Sequence, residues 1–365
     1  MENRLGSLVF LPPATGRKWQ GHVQTQSPAM FYSNPPWHTL VPTAADALAA
    51  AIADEGVIVS ALLSDLSSKD EPSHFHGEPN AESNAEIGAE TNAETRRRIV
   101  PYRAERYGIS PQDFDGASVI DFRLTVPRDS DGRYAYSPSQ IARWESTPPD
   151  KPLGGGSWIP AASFPPDVSS LQTLSIKIQQ LKVLSPSAMV LVSLFPHRLE
   201  TELPQILTQK PDGILLRLSD EELTPLRIAK YIQQARKLID DSAVQSTGKS
   251  TDQTTPLWIE TSGMTPTDAV KLTHFGATGV SIDPWCNDLF QYVSETLELG
   301  MYHPPKSPQM RSVAESRIPA IVQHMLSPYL DEFRGYAESL TGLPPDARIA
   351  TTDPTWSKTL NVPLL

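Results

Sequence analysis

Residues 257–282 read LWIETSGMTPTDAVKLTHFGATGVSI, and the order of residue types in this stretch decides the fold class. Leu257–Thr261 is a short apolar run of the kind that forms a strand covered on both faces. Thr265-Pro266 supplies an N-cap and a proline at the first helical position. The helix that this opens runs to Gly276, a residue suited to a helix C-terminus. Gly279–Ile282 is a second short apolar run. A covered strand, a helix and another covered strand make the unit of a parallel α/β protein.

The same alternation extends upstream. Further strand candidates are Val57–Leu62, Ser118–Leu124, Met189–Phe195 and Gly213–Leu218. Ala44–Glu55 is an alanine-rich helix stopped by Gly56. In Ser169–Leu184, Leu171, Leu174, Ile178 and Leu181 form one apolar stripe. Glu221–Ile239 carries a similar stripe. A chain of 365 residues, 39% of them hydrophobic, exceeds the roughly 250 residues of one α/β barrel. No Gly-x-Gly-x-x-Gly follows the first strand, so the pattern favours a closed (β/α)8 barrel over an open nucleotide-binding sheet. The expected division is a barrel over residues 1–300 and a helical tail over 301–365.

Two stretches read as insertions. Residues 67–95 contain a tetrapeptide repeat, Asn80-Ala-Glu-Ser to Asn92-Ala-Glu-Thr, with seven acids against one lysine between Lys69 and Glu94. So few apolar side chains cannot offset the entropy of ordering, and disorder is expected there. Residues 241–256 are polar and read as a flexible link. The net charge is −11, and without a basic run this argues against nucleic acid as a partner. Cys286 is the one cysteine, which excludes an internal disulfide and a cysteine-ligated iron–sulfur cluster. No apolar run is long enough to span a membrane. The first residues lack a signal-peptide pattern, so a cytoplasmic location is expected. The 35 prolines, about twice the usual ~5%, favour short connections.

Most local motifs have plain readings. Thr247-Gly-Lys-Ser-Thr251 resembles the end of a phosphate-binding loop, but Ala243 stands where that motif needs its first glycine, and the stretch is read as a polar loop. His74 and His76 lie in the acidic insertion with no fixed carboxylate partner, so no metal site is assigned. Gly154, Gly155 and Gly156 let backbone approach a ligand closely. No serine, histidine and acid stand out as a triad, and catalytic residues stay unassigned.

Several segments, taken in order, resemble the FMN-binding central domain of glutamate synthases. They are Pro101–Phe114 (PYRAERYGISPQDF), Ser118–Thr125 (SVIDFRLT), Lys151–Pro160 (KPLGGGSWIP), Phe164–Leu184, Ser185–Phe195 (SPSAMVLVSLF) and Trp258–Ile282. Residues 39–62 fit the family's first helix and second strand, and residues 318–340 resemble its C-terminal helical tail. The resemblance implies a (β/α)8 barrel of the FMN-linked type. It also implies Arg123, Lys151, Gly154, Gly155, Gly156, Ser193 and Gly263 as the positions facing the cofactor.

At those positions the sequence departs from the family. Ser193 stands where the family has a flavin-contacting lysine, and serine cannot stabilise the charge of a reduced flavin. Arg123 replaces a second lysine with a differently shaped cation. The glycine-rich run after the fifth family strand is replaced by Arg217-Leu-Ser-Asp. Gly263 remains, beside Ser262 in place of a partner glycine. Asp283 lies near the phosphate end, where a carboxylate about 4 Å from a phosphate costs on the order of 4 kcal/mol. These losses imply that FMN is no longer held. The expected role is non-catalytic, with the barrel binding another protein or a small metabolite. The alternatives are a divergent FMN-dependent oxidoreductase acting on CH–NH2 donors, as in glutamate biosynthesis, and a barrel rebuilt for another ligand around His197, Arg217 and Asp283.

Overall fold

The computed structural model describes residues 4–11, 28–66, 97–102, 109–124, 135–136, 159–160, 171–196, 199–219, 223–247, 255–302, 305, 307–340 and 348–365. Eight parallel strands close into a barrel in chain order: β1 (Ala29–Tyr32), β2 (Ile58–Ser60), β3 (Arg98–Tyr102), β4 (Val119–Arg123), β5 (Met189–Leu194), β6 (Gly213–Leu218), β7 (Leu257–Thr261) and β8 (Gly279–Ser281). The seam pairs β8 with β1, placing Val280 opposite Met30 and Ser281 opposite Phe31. Helices α1 (Pro42–Asp54), α2 (Leu174–Leu184), α3 (Leu199–Thr208), α4 (Pro225–Thr247) and α5 (Pro266–His274) connect strands, and α6 (Asp283–Gln291) follows β8. The protein is therefore a (β/α)8 barrel, as the strand–helix alternation predicts.

Period-two alternation divides each strand between the helical layer and the barrel interior. Outward residues such as Val190, Val192, Ile214, Leu216 and Ile259 are buried against the helices. Inward residues Phe31, Ile99, Val119, Leu191, Leu215 and Trp258 form a separate apolar plug. Two glycines make that plug possible. A Cβ on Gly213 would lie 2.6 Å from Leu191 Cδ2, and one on Gly279 would lie 2.7 Å from the Trp258 ring. Trp258 fills the space and stacks on Phe31 at 4.9 Å between centroids.

The helices obey their sequence signals. α1 starts with Pro42 in its first turn and buries Ala44, Ala45, Leu48, Ala49 and Ile52 on one face. It ends before Gly56, whose φ of +84° is the left-handed conformation that glycine adopts without strain. α5 is capped by the Thr265 side chain, which accepts from the Asp268 N–H.

Beyond the barrel lie α7 (Pro308–Glu315), α8 (Ile318–Met325) and α9 (Ser327–Leu340). α8 lies against α1, and α9 against α5. Ile318, Val322, Leu326, Leu330 and Phe333 join the same apolar cluster as the outer barrel face. Ile349–Thr351 then pairs antiparallel with Leu8–Phe10, and α10 (Pro354–Leu360) follows. The N-terminal segment is tied to α5: the Arg4 and Leu5 N–H groups donate to Asp268, and Lys271 Nζ donates to the Leu5 carbonyl at 3.0 Å.

The structure differs from the sequence reading at β1, at β3 and at the end of α4. β1 and β3 were not among the expected strands. AMFY is only four residues bounded by proline-rich sequence, and RIVPY contains Pro101, which argues against a ladder position. In the structure Pro101 sits in β3 opposite Asp121, and Tyr102 opposite Phe122. Helix α4 continues to Thr247, which corrects the expected link over residues 241–247. Polar helix formers and two i,i+4 pairs, Arg236 with Asp240 and Lys237 with Asp241, carry it there. The segment 318–340 is helical, as two helices that part between Met325 and Ser327, just before Pro328. Residues 67–95, with His74 and His76, lie outside the described residues; the described chain before them ends in a helical turn, Leu63–Leu66. Among the described residues no helix is long and apolar enough to cross a membrane.

Candidate functional site at the barrel mouth

Above the apolar plug, the C-terminal ends of the strands place polar side chains inside the barrel. Asp121 and Arg123 come from β4, Ser193 from β5, Arg217 from β6 and Glu260 from β7. Ser33 and Asn34 follow β1, and Asp283 opens α6 after β8. The first five occupy the inward register two positions beyond plug residues or above them, so the same alternation that builds the plug builds the polar layer.

These groups bond to one another. The Arg217 guanidinium lies between two carboxylates, donating through Nη1 to Glu260 and through Nη2 to Asp121. Arg123 Nε donates to Asp121 Oδ2 at 2.8 Å, and Ser193 Oγ donates to Asp121 Oδ1. Arg123 Nη2 donates to Asn34 Oδ1 at 3.1 Å. Asn34 Nδ2 donates to Glu260 Oε1 at 2.9 Å, and Ser33 Oγ donates to Glu260 Oε2 at 2.9 Å. Asp283 accepts the Ser33 and Asn34 backbone N–H groups, each at 2.9 Å. Two guanidinia thus face three carboxylates. Arg217, Asp121 and Glu260 are each at least 94% buried, whereas Asn34 is exposed.

The electrostatics follow the geometry. Burial would push the Asp121 carboxyl up, but Arg217 and Arg123 outweigh it and hold it at about 2. Burial, then the like charge of Arg123, pulls the Arg217 guanidinium down to about 10. Burial raises the Asp283 carboxyl against the pull of the two backbone donors and Arg217. Behind Asp283, burial also pushes the Tyr32 hydroxyl and the Cys286 thiol well up. Cys286 is a neutral buried thiol on α6, without the thiolate character a nucleophile needs.

Of the positions singled out in the sequence, the structure brings together Arg123, Ser193, Arg217 and Asp283. Gly263 stands apart in the β7–α5 loop, with φ +68°. Arg4 lies over it: Arg4 Nη1 donates to the Ser262 carbonyl at 2.9 Å, and Arg4 Cδ is 3.6 Å from where a Gly263 Cβ would be. Lys151, Gly154, Gly155, Gly156 and His197 lie outside the described residues. Asp121, Glu260, Ser33 and Asn34 were missed. For Asp121 and Glu260 the signal was an acid at an inward position near the end of an apolar strand, in SVIDFRLT and LWIET, whereas Ser33 and Asn34 carry no such signal.

The described residues do not fit FMN. Ser193 is spent on Asp121, both mouth arginines are engaged by carboxylates, and the backbone at Gly263 is covered by a side chain. Among the described residues no group of three or more histidines, cysteines and carboxylates could hold a metal ion.

No family model matches the chain, and no curated protein matches it. Solved structures do. Mandelate oxidase with (S)-2-phenylpropionate is 14% identical over 93% of this chain and 84% of its own, with a TM-score of 0.49. Mandelate oxidase with benzoyl-formic acid is also 14% identical at the same coverage, with a TM-score of 0.46. At this distance the likeness says nothing about chemistry, and the barrel assignment rests on the strand pairing itself.

Proposed function

We propose that this protein is a non-catalytic (β/α)8 barrel, related to the flavin-linked barrels, whose mouth serves binding rather than flavin chemistry. One observation carries this reading: the cations at the mouth are neutralised within the chain. A flavin site needs an uncommitted positive charge near the ring and an open, positive phosphate end. Here Arg217 and Arg123 answer Asp121 and Glu260, and Asp283 adds a further carboxylate. A phosphate entering this layer would have to displace a carboxylate from a buried guanidinium, and exposing such a charge is costly. The resemblance to glutamate synthase segments supports descent from an FMN-linked barrel, and the altered positions support loss of its chemistry.

The test is a flavin titration. Purified protein is expected to be colourless and to leave FMN fluorescence unquenched up to roughly 100 µM, the regime of binding no tighter than about −5.5 kcal/mol. A yellow protein with one FMN per chain would overturn this reading and favour the oxidoreductase alternative.

A further inference from the structure

We propose that the Arg123–Glu260 pair at the barrel mouth is a binding site for a primary carboxamide, and that the chain's own Asn34 side chain occupies it in this structure. The inference rests on the reading of the mouth as a flavin-free binding site and names its ligand class.

The chemistry of the two flanking groups fixes how Asn34 sits. A guanidinium only donates and an ionised carboxylate only accepts. The Asn34 oxygen must therefore face Arg123, and its nitrogen must face Glu260, as observed at 3.1 and 2.9 Å. The second Asn34 Nδ2 contact, to Ser33 Oγ at 3.3 Å, is the weakest of the set. A planar N–C–O group is thus read at both ends, one by a donor and one by an acceptor.

Charge narrows the class. Arg123 is already paired with Asp121, and Glu260 with Arg217. An anion would bring Arg123 a second negative partner, and a cation would add a second positive partner to Glu260. A neutral amide satisfies both without disturbing the ion pairs beneath. A carboxylate fits only the Arg123 end, and an ammonium only the Glu260 end.

Asn34 is suited to be displaced. It is exposed, whereas the groups below it are buried. Its side chain stands at a corner held by backbone contacts to Asp283, so rotating it out leaves that corner in place. Its bonds lie at the solvent edge, where each contributes little net free energy. An incoming amide can replace them one for one.

The experiment compares propionamide, propionate and propylammonium on the full chain, using saturation-transfer NMR and thermal shift, in wild type and Asn34→Ala. Propionamide is expected to show saturable transfer in both proteins, with about tenfold tighter binding to Asn34→Ala because no internal amide competes. The two charged probes should show no saturable signal. Equal response to all three probes, or no tighter binding in Asn34→Ala, would overturn the proposal. If Asn34→Ala does not fold, wild type alone decides: absence of saturable propionamide transfer overturns the proposal, and its selective presence supports it. FMN is titrated in parallel. Failure of the amide with no flavin binding removes this inference alone, whereas flavin binding removes the reading beneath it.

Discussion

Arg217 is the residue on which the mouth is organised. Its guanidinium separates two buried carboxylates, and losing it leaves both uncompensated. Breaking such a pair from one side costs about 3–5 kcal/mol, so Arg217→Met is expected to lower the urea midpoint by that equivalent. Neutralising the partners as well, with Asp121→Asn and Glu260→Gln, should recover most of the loss, because no buried charge is then orphaned. Asp121 makes a complementary statement in pH. Its folded value of about 2 lies below the unfolded value of about 3.9. The stabilisation is therefore complete above pH 4 and is lost as pH falls from about 4 towards 2, amounting to about 2–3 kcal/mol. Urea titrations of wild type and Asp121→Asn across that window check the slope. Gly279 supplies a steric case, since its Cβ would meet the Trp258 ring at 2.7 Å. Gly279→Ala should cost about 1–3 kcal/mol, and Trp258→Leu should offset part of it in a double-mutant cycle.

At the scale of elements, α5 shows how a helix can anchor a distant segment. Asp268 and Lys271 hold Arg4 and Leu5, and Lys271 lies 5.9 Å from the Phe10 ring. At its last residue, burial and then the Arg348 charge pull the His274 imidazole down to about 4. The unfolded chain, near 6.5, takes up that proton first. Stability from this site is full above pH 6.5 and declines as pH falls towards 4. His274→Gln is expected to flatten thermal stability across that interval.

The same helix shows what the sequence could disclose. Thr265-Pro266 and Gly276 mark both its ends, and its boundary was legible because capping is local chemistry. β3 was not legible, because Pro101 violates a local rule that only its barrel position permits. The mouth was half legible. Arg123, Ser193, Arg217 and Asp283 drew attention as departures from a family pattern. Asp121 and Glu260 did not, because a lone acid in an apolar strand gains meaning only when closure brings its partner across the barrel.

On the scale of the whole molecule, the barrel closes where its earliest strand meets its last. β1 and β8 pair over three registers, and Asp283 grips Ser33 and Asn34 across that junction. Contacts so far apart along the chain carry a large loop-closure cost and form late. Interactions made late act on the unfolding rate more than on the folding rate. Asp283→Ala is therefore expected to speed unfolding about tenfold while leaving refolding within about twofold, as read from the two arms of a chevron. The native protein should also breathe at this junction first. Amide protons of residues 29–34 and 279–282 will trade with deuterium sooner than those of Gly213–Leu218, a strand separated from the junction by β7 and with neighbours on both flanks held by longer ladders.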